Sequence, residues 1–337
     1  GTAGATNRIA TAPALWGSSW TTNGFALVDD LLLVPTSPSG STIEMQRWDT
    51  ATHQGGSTGL ARLTTKRMTT ITHHQERAFF TDHELVITDG LTSAQSHALP
   101  HTWGPADSIV ATDDRVFVTL PDLWAFDPTQ ATWVNVDPIS SSLLGTIGNR
   151  AIYRRGAYYP MRSTDGITSE LLGIPTPPNG AELTAFPWNG QHWILGNDLW
   201  STDGTAAGSH VHLASTGVTF SDAAAIDDGI NLVGNTAVHG RELWKFDGTM
   251  FMRVTDLIPG FRDSVFSVAT CGDRLFLAAS DGTDGIEPYL SDGTAAGTHR
   301  IADLMPGLTS SMPEFVRVVG DYAYFTAQTP GFGNLMS

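Results

Sequence analysis

The 337-residue chain contains a single cysteine, Cys271, so no disulfide can form within it. Cys271 lies at the end of an apolar run, just before Gly272-Asp273-Arg274, a context that predicts a small core residue and not a nucleophile. Lysine is almost missing: Lys66 and Lys245 are the only two. With 18 basic against 34 acidic residues the formal net charge is −16. Phosphate binding needs clustered Lys and Arg, so this balance argues against a nucleic-acid partner. An acidic surface of this kind mainly serves solubility. No run of about 18 apolar residues occurs, so the sequence offers no membrane-spanning helix.

Familiar catalytic signatures are missing as well. There is no phosphate-binding loop, no H-E-x-x-H, no paired-cysteine metal spacing and no dinucleotide fingerprint. Gly55-Gly56-Ser57-Thr58-Gly59 fits the G-x-S-x-G pattern. That pattern has mechanical meaning only between a strand and a helix, and here it reads as a turn between strands.

What the chain does have is repetition. Residues 199–209 read LWSTDGTAAGS and residues 289–298 read YLSDGTAAGT. A second mark runs in step with it, a short polar turn followed by a β-rich apolar run. Its copies begin Asp29-Asp30, Gln75-Glu76, Asp113-Asp114, Gly148-Asn149, Asn189-Gly190, Asp227-Asp228, Gly272-Asp273 and Gly320-Asp321. Successive second turn residues lie 46, 38, 35, 41, 38, 45 and 48 positions apart, and 46 more lead from Asp321 round the ends to Asp30. Such spacings match four-stranded propeller blades of about 40–50 residues.

Each turn joins an alternating strand to one rich in aromatic and branched residues. A third strand follows and ends in Asp-Gly or a relic of it; Asp-Gly supplies the positive-φ turn that leads straight into a fourth. The expected fold is therefore all-β, an eight-bladed β-propeller of four-stranded antiparallel blades, in one domain over residues 1–337. Its blades span about 12–63, 64–99, 100–138, 139–174, 175–217, 218–262, 263–309, and 310–337 with 1–11. Leu335-Met336-Ser337 followed by residues 1–10, GTAGATNRIA, echoes YLSDGTAAGTHRIADL. This predicts that the N-terminal strand completes the last blade, closing a seam whose bare edges would invite aggregation.

At these residues the chain resembles a repeat family of bacterial secreted and surface proteins, with a consensus near G-x-E-L-W-x-S-D-G-T-x-x-G-T followed by D-I-x-P-G. The best copies are Gly240-Arg241-Glu242-Leu243-Trp244-Lys245-Phe246-Asp247-Gly248-Thr249 with Asp256–Gly260, and Gly285-Ile286-Glu287 through Thr294 with Asp303–Gly307. The copy at 198–209 is close, whereas those between 12 and 174 are degraded. The resemblance implies export to the periplasm, the cell surface or the exterior of a bacterium, and a propeller-like scaffold. It carries over no catalytic residues, and the repeated Asp, Gly and Thr read as turn-formers.

Function in ring folds sits on loops at one face, here the second-to-third-strand hairpins and the fourth-to-first crossings. His83 and His239 fall in such hairpins, and His101 and Trp103 in a crossing. These four make a candidate ligand-binding face. His83 with His101 could hold a transition metal such as copper or zinc if further ligands converge. His73 and His74 precede the opposite hairpin, and His210 and His212 could chelate weakly from an outer strand. Asp281, Asp284 and Glu287 crowd one loop that could take calcium, although the spacing is not that of an EF-hand. Trp124, Trp200 and Trp244 share a third-strand position that predicts core packing, leaving Trp16, Trp20, Trp103 and Trp188 freer to bind.

The symmetric turn chemistry and the lack of a catalytic constellation point first to a monomeric, non-catalytic binding or scaffold module that recognises a protein, peptide or glycan. The alternatives are an enzyme whose residues come from several blades at the channel mouth, as in hydrolases, lyases and quinoproteins of this architecture, or a secreted metal-binding protein using the loop histidines.

Overall fold

A computed structural model describes residues 8–11, 26–28, 31–36, 44–49, 52, 54–57, 71–81, 84–89, 94–100, 106–139, 141–156, 159–174, 183–196, 198–212, 217–319, 322–330 and 332–336. These residues contain strands and no helix, and the strands assort into eight four-stranded sheets. Every strand pair whose register is defined is antiparallel, as two-residue polar turns between β-rich runs require. The chain divides into two compact units, one of residues 13–181 and 202–210, the other of 1–12, 182–201 and 211–337.

The first unit holds four sheets in chain order. The first sheet is Ala26–Val28, Leu31–Thr36, Glu44–Asp49 and Gln54–Ser57. Thr72–His74, Arg77–Thr81, Glu84–Thr88 and Ala94–Ala98 form the second. Ser108–Ala111, Val116–Thr119, Leu123–Asp127 and Thr132–Asp137 form the third, and Ser141–Ile147, Arg150–Arg155, Met161–Thr164 and Ser169–Leu171 the fourth. Ser57 of the G-x-S-x-G stretch pairs with Gln46 inside the first sheet, so it stands on a strand and not in the expected turn.

The fifth sheet comprises Thr184–Trp188, Gln191–Leu195, Leu199–Thr202 and His210–His212. In the other unit follow the sixth (Thr219–Ile226, Gly229–Thr236, Gly240–Phe246, Phe251–Arg253) and the seventh (Val265–Cys271, Arg274–Ala279, Glu287–Ser291, His299–Arg300). The eighth sheet has Glu314–Val319, Tyr322–Thr329 and Phe332–Met336, and takes Arg8–Thr11 as its fourth strand, with Arg8 opposite Met336 and Thr11 opposite Asn334.

Within each unit the first strands of consecutive sheets pack side by side, as at Thr219–Ile226 against Val265–Cys271. The second strand of a sheet is the most deeply buried. Leu275, Leu277 and Ala279 are fully buried, and so are Ile230, Leu232 and Val233. Clusters of Leu, Val, Phe and Ala fill the space between neighbouring sheets, for example Val233 and Leu243 with Val265, Leu275 and Leu277. Burial of such side chains on both faces of a sheet is the main driving force for this stacking, at roughly 25 cal/mol per Å² of apolar surface.

The Asp-Gly turns dock on the preceding sheet. Gly166 lies against Arg115 and Ala125, Gly204 against Ile147 and Arg150, and Gly293 near Asn231 and Ile226. Each has a positive φ, +89°, +91° and +82° respectively, which favours glycine. Inside the turn the aspartate folds back on the chain. Asp203 Oδ1 accepts the N–H and hydroxyl of Thr205 at 2.9 and 2.7 Å, and Asp292 Oδ1 does the same with Thr294 at 2.9 and 2.6 Å. The second glycine of the motif is there for space: a Cβ at Gly297 would lie 2.0 Å from Asp292 Oδ1, and one at Gly208 lies 2.1 Å from Asp203. The repeated Asp, Gly and Thr are thus one turn built several times.

Candidate functional site

The second-to-third-strand hairpins and the crossings of the sixth and seventh sheets form one stitched surface. A Cβ at Gly240 would lie 2.4 Å from Arg262 O, and one at Gly285 2.1 Å from Thr309 O. The glycine that opens each G-x-E copy therefore lets the crossing backbone pass against the hairpin. A Cβ at Gly282 of the seventh sheet's hairpin would in turn lie 3.4 Å from Ile258, so the first crossing lies between two hairpins.

The glutamate of the same motif fastens the crossing from beneath. Glu242 and Glu287 are completely buried. Glu242 Oε2 accepts the Thr255 hydroxyl at 2.7 Å and the Leu257 N–H at 3.4 Å. Glu287 accepts the N–H of Leu304 at 2.9 Å through Oε2 and that of Ser311 at 3.2 Å through Oε1. Burial pushes the Glu242 carboxyl above the ordinary carboxylate range, and the hydroxyls of Ser264 and Thr255 only partly oppose it. Both crossings close on a buried serine. Ser264 N–H donates to Arg241 O at 2.9 Å, and Ser311 N–H to Ile286 O at 2.9 Å.

This geometry places the predicted site residues. Glu287 turns inward to hold the crossing, while Asp281 and Asp284 stay at the hairpin. Asp281 Oδ1 accepts the N–H and hydroxyl of Thr283 at 3.0 and 2.6 Å, and Asp284 pairs with Arg300. Thr283 and its backbone hold the Asp281 carboxyl below its usual range. His239, half-buried, sits in the sixth sheet's hairpin with its N–H on Thr236 Oγ1 at 3.0 Å. His83, His101 and Trp103 lie outside the described residues, as do Trp16 and Trp20. Among the described residues no group of three or more His, Cys, Asp or Glu is placed to hold a metal ion.

Other singled-out residues have structural partners. His74 Nε2 meets Asp113 Oδ1 at 2.7 Å, joining the second sheet to the third. The His212 ring lies 4.7 Å from Trp193 and bonds Ser201 Oγ at 3.1 Å. Trp188 Nε1 donates to Ile226 O at 3.0 Å, tying the fifth sheet to the sixth. Cys271 is partly buried, and burial raises its thiol above the ordinary range, which makes it a poor nucleophile at neutral pH.

One cluster escaped the sequence reading. Asp137, completely buried, accepts Tyr153 Oη at 3.0 Å and Arg155 Nε at 2.5 Å, and Tyr153 Oη meets Ser169 Oγ at 2.7 Å. Arg162 Nε donates to the same Ser169 at 2.8 Å. Burial raises the Tyr153 phenol, so it remains a hydrogen-bond donor here. The network links the third and fourth sheets in a stretch where the G-x-E motif is degraded. Nothing in the residue spacing marks it except the run Tyr153-Arg154-Arg155 in a chain poor in cations.

At the hairpins and crossings of the sixth and seventh sheets, four described apolar side chains stand in solvent. Phe261 is 78% exposed and Leu308 82%, each directly after the Pro-Gly of its crossing. Val238 in the sixth sheet's hairpin and Met312 in the second crossing are also exposed.

No family model matches the chain, and no curated protein does. Solved structures do match. The computationally designed Ika8 protein superposes with a TM-score of 0.63 at 10% identity, covering 97% of this chain and 98% of that one. BamB from Moraxella catarrhalis gives 0.55 at 10% identity, covering 98% and 99%. A puromycin hydrolase gives 0.54 at 13% identity, covering 94% of this chain and 61% of the hydrolase. At these identities the likeness shows the fold alone, an all-β fold of the β-propeller kind. No helix among the described residues is long and apolar enough to cross a membrane.

Proposed function

We propose that this chain is an exported, monomeric, eight-bladed propeller that acts as a non-catalytic binding module through the face made by its hairpins and crossings. One observation carries the reading. Among the described residues of that face, Glu242, Glu287, Asp281 and Asp284 are held by the chain's own donors, whereas Phe261 and Leu308 are presented to solvent. Binding surfaces gain most of their affinity from a few apolar anchors, while catalysis needs free, convergent polar groups.

The eight-sheet count and the pairing of Arg8–Thr11 with Phe332–Met336 support a ring closed by its own ends. Export and membership in the G-x-E-L-W repeat family rest on the motif resemblance. The test is a parallel screen of the purified chain against peptide and glycan arrays, with elemental analysis of protein prepared without chelator. Selective retention of peptides or glycans by metal-free protein is expected. A stoichiometric metal lost on His83→Ala or His101→Ala would overturn the reading in favour of a metal protein.

A further inference from the structure

We infer that Phe261 and Leu308 are paired anchors for a polypeptide segment of another protein, one that sets apolar side chains beside Lys or Arg. The inference deepens the binding-module reading and rests on it. Both residues occupy the same place in the repeat, Pro259-Gly260-Phe261 and Pro306-Gly307-Leu308. Both are exposed at a position where core packing offers no reason for an apolar side chain. Single exposed hydrophobics are ordinary. A large one recurring at the tip of consecutive crossings is not explained that way.

The tips are rigidly mounted. Before each tip the chain is held by the buried glutamate, through Thr255 and Leu257 in one crossing and Leu304 in the other. After each tip it is held by the hairpin: Asp263 Oδ1 accepts the Arg241 N–H at 3.0 Å, and Ser310 Oγ accepts that of Ile286 at 2.9 Å. The residue that follows each anchor, Arg262 or Thr309, lies against the motif glycine. An anchor fixed in advance loses little freedom on docking, so more of its burial becomes affinity. Val238 and Met312 extend the apolar surface along the same hairpins and crossings. Met312 holds a φ of +46°, a region few non-glycine residues adopt.

Charge selects the occupant. Of the arginines around the tips, Arg241 pairs with Asp263 at 3.7 Å, Arg253 with Asp256 at 3.1 Å and Arg300 with Asp284, while Arg262 beside Phe261 is exposed. Exposed Asp303 precedes the second tip, and the whole chain carries −16. That field repels a second copy and an anionic bilayer surface, and attracts a cationic segment.

The experiment uses the intact chain, the double variant F261S/L308S, and M250S as a control. Met250 is an exposed apolar side chain on a third-to-fourth-strand hairpin, at the other end of the sheet. Probes are short synthetic peptides graded in net charge, with or without Phe and Leu, together with a glycan array and neutral and anionic vesicles. The expected result is binding of cationic apolar peptides that weakens with added salt. It falls about tenfold or more in F261S/L308S, is unchanged in M250S, and all three proteins melt alike. Peptide binding indifferent to F261S/L308S, or a preference for acidic peptides, overturns the anchor assignment and leaves the binding module standing. Vesicle binding lost in the double variant overturns the choice of partner. No retention of any peptide or glycan overturns both.

Discussion

The Thr255 hydroxyl donates to Glu242 Oε2 at 2.7 Å, and neither residue reaches solvent. Glu242→Ala would strand Thr255 Oγ1 and the Leu257 N–H without their acceptor, a loss of about 1–3 kcal/mol. Because burial raises this carboxyl, its favourable contribution is full below the unfolded-state value and shrinks as pH rises through the folded one. Glu242→Gln keeps an acceptor without a buried charge. It should therefore lie within about 1 kcal/mol of the wild type at neutral pH. Urea titration of the three proteins checks the order, and an alanine variant as stable as the glutamine variant would remove the clamp from the account.

The turn aspartates act in the opposite direction. Asp127, Asp203, Asp247 and Asp292 accept a threonine hydroxyl and backbone N–H groups, which hold their carboxyls below the usual range. At Asp165 burial pushes upward, but the N–H groups of Thr168 and Ile167 and the Thr168 hydroxyl outweigh it. Asp165 and Asp247 are both lowered to about 2. A depressed carboxyl stabilises above its unfolded value and loses that contribution as pH falls through the folded one. Stability should thus decline from about pH 4 toward pH 2. Asp247→Asn, which retains the turn acceptor but not the charge, should make the acid limb shallower by lowering the neutral melt toward the acid one. An identical acid limb would show that the turns do not drive acid unfolding.

Gly285 tests close approach apart from backbone conformation, since its φ is not in the left-handed region. A methyl there would stand 2.1 Å from Thr309 O, and backbone cannot swing aside as a flexible side chain can. Gly285→Ala should cost about 1–3 kcal/mol through overpacking. At Gly248, where a Cβ meets nothing within 4 Å, the same change meets only the penalty of a +99° φ. Equal losses at the two sites would argue that the crossing yields easily.

Much of this was legible because the turns are local. Asp-Gly-Thr at a fixed distance from an apolar run encodes its own geometry, so the strands and hairpins follow from spacing. The role of Glu287 was not legible. Its acceptor atoms meet Leu304 and Ser311, 17 and 24 residues downstream, and proximity in sequence suggested Asp281 and Asp284 instead. The Asp137–Tyr153 bond bridges two sheets and leaves no periodic trace. The exposed tips were hidden for a simpler reason: a Phe or Leu after Pro-Gly reads as apolar, and only the pinned crossing turns it outward.

The pairing of Arg8–Thr11 with Phe332–Met336 supplies the last prediction. Removing residues 1–11 would leave Phe332–Met336 as a sheet edge with unpaired N–H and C=O groups. The expected outcome is a melting point lower by several degrees, with association that grows with concentration, because a bare edge accepts strands from other copies. A synthetic peptide of residues 1–11 added in trans should restore the melt and suppress association, since it supplies the missing strand without altering the rest of the chain. A scrambled peptide should do neither. A truncated protein that melts and sediments like the full chain would mean that the terminal strand does not stabilise the eighth sheet.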